Sequence, residues 1–292
     1  MKNNKFVSLV LVPGFIILIL FSLIPLIYGL GISLFDYNPS NIKNQFIGFS
    51  FYRKLFKDPV FYKALKNTLV FTGIAVFLNL VITLFLASII SEIPSKIIKN
   101  IVRVIIFLPC AAPMVGTAMV WKYGFLETNG GLLNRFMSLI NLSPQNWFIS
   151  EKALMVIIII FTLWADIGYN LILFTAAFEG VPDNVIEAGK LDGAGTLRIF
   201  FNIKLPLVSR VFAFVLVMTT IDYLQMFAQF SVFAPTGGQN NSVLVLTNYI
   251  YRTSFSKYNM GYASAISMAL FLIIFLITII QNKINQTDWS YE

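Results

Sequence analysis

The sequence predicts an all-α integral membrane protein with six transmembrane helices, on three observations. First, the 292 residues are 58% hydrophobic and 12% charged, about half the charged share of an ordinary soluble domain; mean hydropathy is +0.79. Second, six apolar stretches match or exceed the roughly 20 residues that carry a helix across the hydrocarbon core. Third, those stretches are continuous. Barrel strands alternate over about ten residues, and in lipid only helices and closed barrels satisfy the backbone.

The first span, about 7–35, follows the basic residues Lys2 and Lys5. Its apolar run is far longer than the roughly 7–15 residues of a signal-peptide core, so it is expected to stay uncleaved. A polar stretch at 36–64 carries turn signals at Asn38-Pro39 and Asp58-Pro59. The second span covers about 65–90. A short basic loop, 91–103, holds Lys96, Lys99 and Arg103. In the third span, about 104–124, Pro109 and Pro113 are expected to produce a kink, and Trp121-Lys122-Tyr123 reads as an interfacial anchor. Residues 125–152 include Asn129-Gly130-Gly131 and a short helix, LLNRFMSLI. The fourth span, about 153–178, precedes a polar loop at 179–206. The fifth covers about 207–234, a loop contains PTGGQNNS at 235–242, and the sixth covers about 260–281.

Composition narrows the chemistry. A single cysteine, Cys110, permits no intrachain disulfide, and the absence of histidine removes the commonest metal ligand and general base. With no metal cluster and no paired-carboxylate motif, the chain is not expected to be an enzyme. No G-x-x-x-x-G-K-[ST] occurs, so it is not expected to bind ATP or another cofactor itself. The net charge of +8 is scattered over short loops, which fits anionic lipid headgroups rather than nucleic acid. Six spans put both termini on one side. With the termini inside, ten of the 21 Lys and Arg lie inside, so the positive-inside rule does not decide the orientation. Lys2 and Lys5 before the first span favour the N-terminus inside.

The loop EAGKLDGAGTLRIFFNIKLP, 187–206, has the physical marks of a docking element. Asp183 is a candidate N-cap, and Glu187 is well placed near a helix N-terminus. Ala188 and Gly189 are small enough for another surface to approach closely. Asp192-Gly193 signals a turn or C-cap. A second short helix, about 194–202, carries apolar residues, and Pro206 suits the first turn of the next span. Such a helix–turn–helix across the membrane surface fits a helix-in-groove contact.

This stretch resembles the EAA loop of ABC importer permeases: EAA, three residues, G, nine residues, I, one residue, L-P. The sequence supplies Glu187-Ala188-Gly189, Gly193, Ile203 and Leu205-Pro206 at those intervals, with glycine for the usual alanine at 189. LFSLIPLIYGLGISLFDYN, FLPCAAPMVGTAMVWKYGF and TNYIYRTSFSKYNMGYASAISMALFL are similar to the sugar-type permeases of oligosaccharide, maltose-type and glycerol-phosphate uptake, over nearly the whole chain. The resemblance implies the type I importer permease fold, with 1–292 a single permease domain. It implies a second, often different permease subunit and two cytoplasmic ABC ATPases that carry ATP and Mg. It also implies an extracellular or periplasmic sugar-binding protein. The 179–206 loop and both termini would then be cytoplasmic, in a bacterial inner or plasma membrane. Glu187, Ala188, Gly189, Asp192, Gly193, Ile203, Leu205 and Pro206 would form the ATPase-coupling surface.

Counting from the loop, the family's sugar-contacting face falls on Thr162, Asp166 and Tyr169 of the fourth span and near Tyr223, Leu224 and Phe227 of the fifth. Thr162, Ala165, Asp166 and Tyr169 share one helical face. Asp166 departs from the family's glycine or basic residue, and an ionisable group within a span is costly enough to suggest function. Substrate contact, pairing with the sister permease and a structural hydrogen bond all remain open for it. A cationic amino sugar would suit its charge. Asp222 is expected to do helix-end or structural duty. The expected function is the permease subunit of an ATP-driven importer of a sugar or oligosaccharide, working by alternating access. The rival is a secondary transporter or channel without ATPase partners, marked by broken helices in matching halves.

Overall fold

The computed structural model describes residues 4–39, 44–128, 130–148 and 151–284. Lys2 and Asn129 lie outside the described residues. The elements in chain order begin with α1, Leu11–Ile32, an apolar span with no buried residue. A two-residue antiparallel pairing of β1, Phe35–Asp36, with β2, Gln45–Phe46, follows, then α2, Ser50–Leu55. Long α3, Pro59–Ser91, is the second span. It starts six residues earlier than expected because Pro59 suits a first helical position and Asp58 caps it, Oδ1 accepting from Val60 N–H at 2.8 Å.

The third span is broken. Its halves, α4 Lys96–Ala111 and α5 Met114–Phe125, meet at 93°, at the Pro109 and Pro113 expected to kink it. The basic loop expected at 91–103 is helical from Lys96 onward. Lys96, Lys99 and Arg103 fall on one stripe, and Ile97, Ile98, Ile101, Val104 and Ile105 are exposed beside it. Short α6, Leu132–Leu139, precedes the fourth span, α7, Glu151–Glu179. The polar loop folds as α8 Asp183–Leu191, α9 Thr196–Ile199 and α10 Leu205–Leu207. The fifth span divides into α11 Ser209–Leu224 and α12 Ala228–Phe233. After α13, Leu246–Tyr251, the sixth span is α14, Met260–Ile284. Among the described residues, five helices, or six with the bent pair taken as one span, are long and apolar enough to cross a membrane.

Two compact units are formed. One comprises Met1–Tyr62 with Leu246–Ile273; the other comprises Lys63–Val245 with Ile274–Glu292. The second holds a continuous core in which Phe71, Phe161, Phe174 and Phe230 are fully buried among aliphatic side chains of α3, α7 and α11. In the first, Phe51 and Leu55 of α2 are buried, and the Phe51 ring packs 5.6 Å from that of Tyr262.

Candidate functional site

Two places in the larger unit hold residues singled out in the sequence. The first is a cavity of about 470 Å³ among the spans, whose lining includes Asp166, Tyr169, Asp222, Tyr223 and Phe227. It forms where two spans lose helical regularity. Leu108–Ala111 is a tight 3-10 turn, and residues 225–227 separate α11 from α12. Irregular backbone at membrane depth persists where it lines a cavity, and Cys110, Met226 and Phe227 from these breaks all face this one.

Beside the cavity runs a polar network joining three helices. Asn170 Nδ2 donates to Asn79 Oδ1 at 2.7 Å and to Thr219 Oγ1 at 2.9 Å. Asn79 Nδ2 in turn donates to the Tyr223 hydroxyl at 2.9 Å. All four residues are buried. Tyr223 accepts in this bond, which leaves its own proton to donate. Asp166 is half-buried, and Tyr169 is 58% exposed.

The sequence-predicted pathway residues separate here. Asp166, Tyr169, Tyr223 and Phe227 share the lining, whereas Thr162 and Leu224 do not belong to it. Thr162 is fully buried with its hydroxyl 3.6 Å from Met226 Sδ, and Leu224 is 1% exposed in the core. Asp222, expected to do helix-end duty, lines the same cavity as Asp166. Asn79, Thr219 and Gln229 were not anticipated. Asn79 and Thr219 bond to Asn170, and Gln229 lines the cavity; nothing in the local sequence around them announces it.

The second place is the 183–207 segment. Helix α8 starts after Pro182, so Asp183 is its first helical residue and makes no side-chain cap. The helix closes in a Schellman turn: Ala194 N–H donates to Gly189 O and Gly193 N–H to Lys190 O, both at 3.0 Å. Gly193 has φ +78°, a left-handed conformation that any Cβ strains. The second helix begins at Thr196, two residues later than expected, and continues past Ile199 through a π-helical stretch, Phe200–Lys204, into α10. Ile203 folds back over Gly189, where an added Cβ would lie 2.6 Å from Ile203 Cδ1. Buried Lys204 donates to Glu92 Oε1 at 2.7 Å. Glu179, at the end of α7, accepts from Lys99 at 2.8 Å and pairs with Arg103 at 2.6 Å. These pairs tie the segment's base to the start of α4 and the end of α3. Its outer surface is left free: Glu187, Ala188, Asp192 and Gly193 are exposed, with Leu191 at 89% and Leu197 at 74%.

Residues 79–287 match the family described as binding-protein-dependent transport system inner membrane component. The chain is 28% identical over 285 residues to the sn-glycerol-3-phosphate transport system permease protein UgpA of Pectobacterium atrosepticum, covering 96% of this chain and 94% of that one. It is 30% identical over 243 residues to the arabinooligosaccharides transport system permease protein AraP of Bacillus subtilis, covering 82% and 76%. Its fold superposes with a TM-score of 0.84 on a chain of a bacterial alginate ABC transporter solved with an alginate pentasaccharide-bound periplasmic protein, at 24% identity over 98% and 95% of the two chains. A multi-pass membrane protein carrying this match over most of its length belongs to the family of inner membrane components of binding-protein-dependent transport systems.

Proposed function

We propose that the chain is a permease subunit of an ATP-driven importer for a sugar or oligosaccharide, acting as one permease domain over 1–292. The carrying observation is the free outer surface of the 183–207 segment. Leu191 and Leu197 are almost fully exposed on a segment whose base is fixed by the Lys204–Glu92 pair. Exposed apolar side chains on a rigid base suit insertion into a partner's groove. In this reading two ATPase subunits, which hold ATP and Mg, receive that surface. Glu187 makes a charge-assisted contact, Ala188, Asp192 and Gly193 form the approach face, and Gly189, Ile203, Leu205 and Pro206 set its shape. The segment and both termini face the cytoplasm. A second permease completes the pathway, and a binding protein delivers substrate from outside.

Substrate passes the cavity lined by Asp166, Tyr169, Tyr223 and Phe227. Carboxylate and phenol groups suit sugar hydroxyls, and aromatic faces suit the C–H surfaces of the rings. Thr162 and Leu224 support this lining from the core. AraP and the alginate transporter favour an oligosaccharide, and UgpA keeps a phosphorylated polyol as the alternative. The test is uptake into proteoliposomes holding the chain with its sister permease and ATPases, with the binding protein outside. Import of a labelled oligosaccharide that needs ATP supports the proposal. Import without ATP points instead to a secondary transporter.

A further inference from the structure

We infer that a pocket lined by residues of the smaller unit binds a phosphate group. It has a volume of about 460 Å³, and its lining includes Lys54, Lys57, Lys257, Asp58, Thr253 and Tyr262. Three lysines against one carboxylate leave an excess of two positive charges. That carboxylate is already engaged: Tyr249 and Tyr262 hydroxyls each donate to Asp58 Oδ2 at 2.6 Å, and Val60 N–H donates to Oδ1 at 2.8 Å. No ion pair among the described residues involves the three lysines. Two of them are instead held over the same tyrosines. Lys54 Nζ lies 4.6 Å from the Tyr262 ring centroid and Lys257 Nζ 5.8 Å from that of Tyr249.

The independent observation is Thr253. It is 2% exposed and lines the pocket, yet its hydroxyl has no hydrogen-bond partner among the described residues. A buried, unpaired hydroxyl needs an account, and a bound oxyanion supplies the acceptor. Phosphate suits this set better than carboxylate. Ammonium groups from two segments and a hydroxyl call for tetrahedrally disposed oxygens, whereas a carboxylate offers two oxygens in a plane. The position agrees as well: Pro59 of the lining, and Met260 next to the lining residue Asn259, begin two membrane spans. Their N-terminal ends add partial positive charge, and headgroup phosphates lie at this level of a bilayer. The phosphate comes either from an anionic lipid or from solution.

Two measurements on the purified importer complex separate these sources. Native mass spectrometry from nanodiscs containing phosphatidylglycerol counts retained lipid. Thermal unfolding with added inorganic phosphate reads a soluble anion. The variants are Lys54→Gln/Lys57→Gln/Lys257→Gln, which removes exposed charges, and Thr253→Val, which keeps the shape. If lipid is the source, wild type retains phosphatidylglycerol. The triple variant then binds it at least about tenfold more weakly, as loss of charge-assisted contacts requires, and Thr253→Val shows a smaller loss. If solution is the source, inorganic phosphate raises the wild-type unfolding midpoint, and the triple variant does not respond. Equal behaviour of wild type and both variants in both measurements overturns the assignment.

Discussion

Gly189 and Ile203 lie in such close contact that a Cβ on residue 189 would come within 2.6 Å of Ile203 Cδ1. Gly189, which stands where the resembled loop motif has alanine, is therefore matched by Ile203 of the same stretch. Gly189→Ala gains about 1 kcal/mol of helix propensity and loses a similar amount to overpacking, because only the end of a flexible side chain must move. The single variant is expected to unfold within a few degrees of wild type. Ile203→Val removes the offending methyl, so Gly189→Ala/Ile203→Val should be more stable than the two single changes predict. Thermal unfolding of the four proteins in detergent measures that coupling.

Gly193 closes α8 at φ +78°. A residue with a Cβ costs about 1–2 kcal/mol there, and asparagine tolerates the conformation best. Transport-coupled ATPase activity should fall in the order wild type, Gly193→Asn, Gly193→Val. Equal activity in all three would show that the turn does not transmit the stroke.

The Lys204–Glu92 pair is asymmetric, with Lys204 buried and the Glu92 side chain 55% exposed. Removing the glutamate strands a buried ammonium, whereas removing the lysine frees a carboxylate that water can reach. Glu92→Ala is therefore expected to lower both the unfolding midpoint and coupled ATPase activity more than Lys204→Met does. The reverse order would mean that the pair does not brace the segment.

Asp58 and Tyr249 should make stability depend on pH in opposite directions. Burial pushes the Asp58 carboxyl up, but donation from Tyr249, Tyr262 and two backbone N–H groups outweighs it and holds the pKa below the ordinary value. Its contribution is thus present above the ordinary carboxylate range and lost as pH falls through the lowered value. Tyr249 is raised, first by burial and then by its bond to Asp58. Its contribution is complete below the ordinary phenol range and is lost as pH rises through the raised value. Asp58→Asn should lower the unfolding midpoint at neutral pH, and the gap from wild type should narrow in acid. A gap of constant size would remove Asp58 from the account.

The spans were legible because hydropathy accumulates over some twenty residues and tolerates local exceptions. The break in the third span was legible too, since Pro109 and Pro113 cannot continue a helix. The interruption at residues 225–227 was not, because Gln225, Met226 and Phe227 include neither proline nor glycine. Asp222 itself lies on the face of α11 that Thr219 and Tyr223 also turn to the cavity lined by Asp166. Asn79 was equally silent. It is one polar residue in a long apolar run, and its partners Asn170 and Tyr223 stand 91 and 144 positions away. Asn79→Leu removes two interhelical hydrogen bonds, each worth about 0.6 kcal/mol in a membrane bundle. A lower unfolding midpoint, with Asn170→Leu close behind, is expected in detergent.

The coupling claim meets its most direct test in ATP-dependent oligosaccharide uptake by proteoliposomes carrying Leu191→Asp/Leu197→Asp in the assembled importer. Both side chains are exposed, so the fold should survive their replacement, as the unfolding midpoint will show. The predicted result is uptake reduced to the level seen without ATP while the variant stays folded. Uptake at the wild-type rate would contradict the assignment of this surface as the place where the ATPases drive the chain.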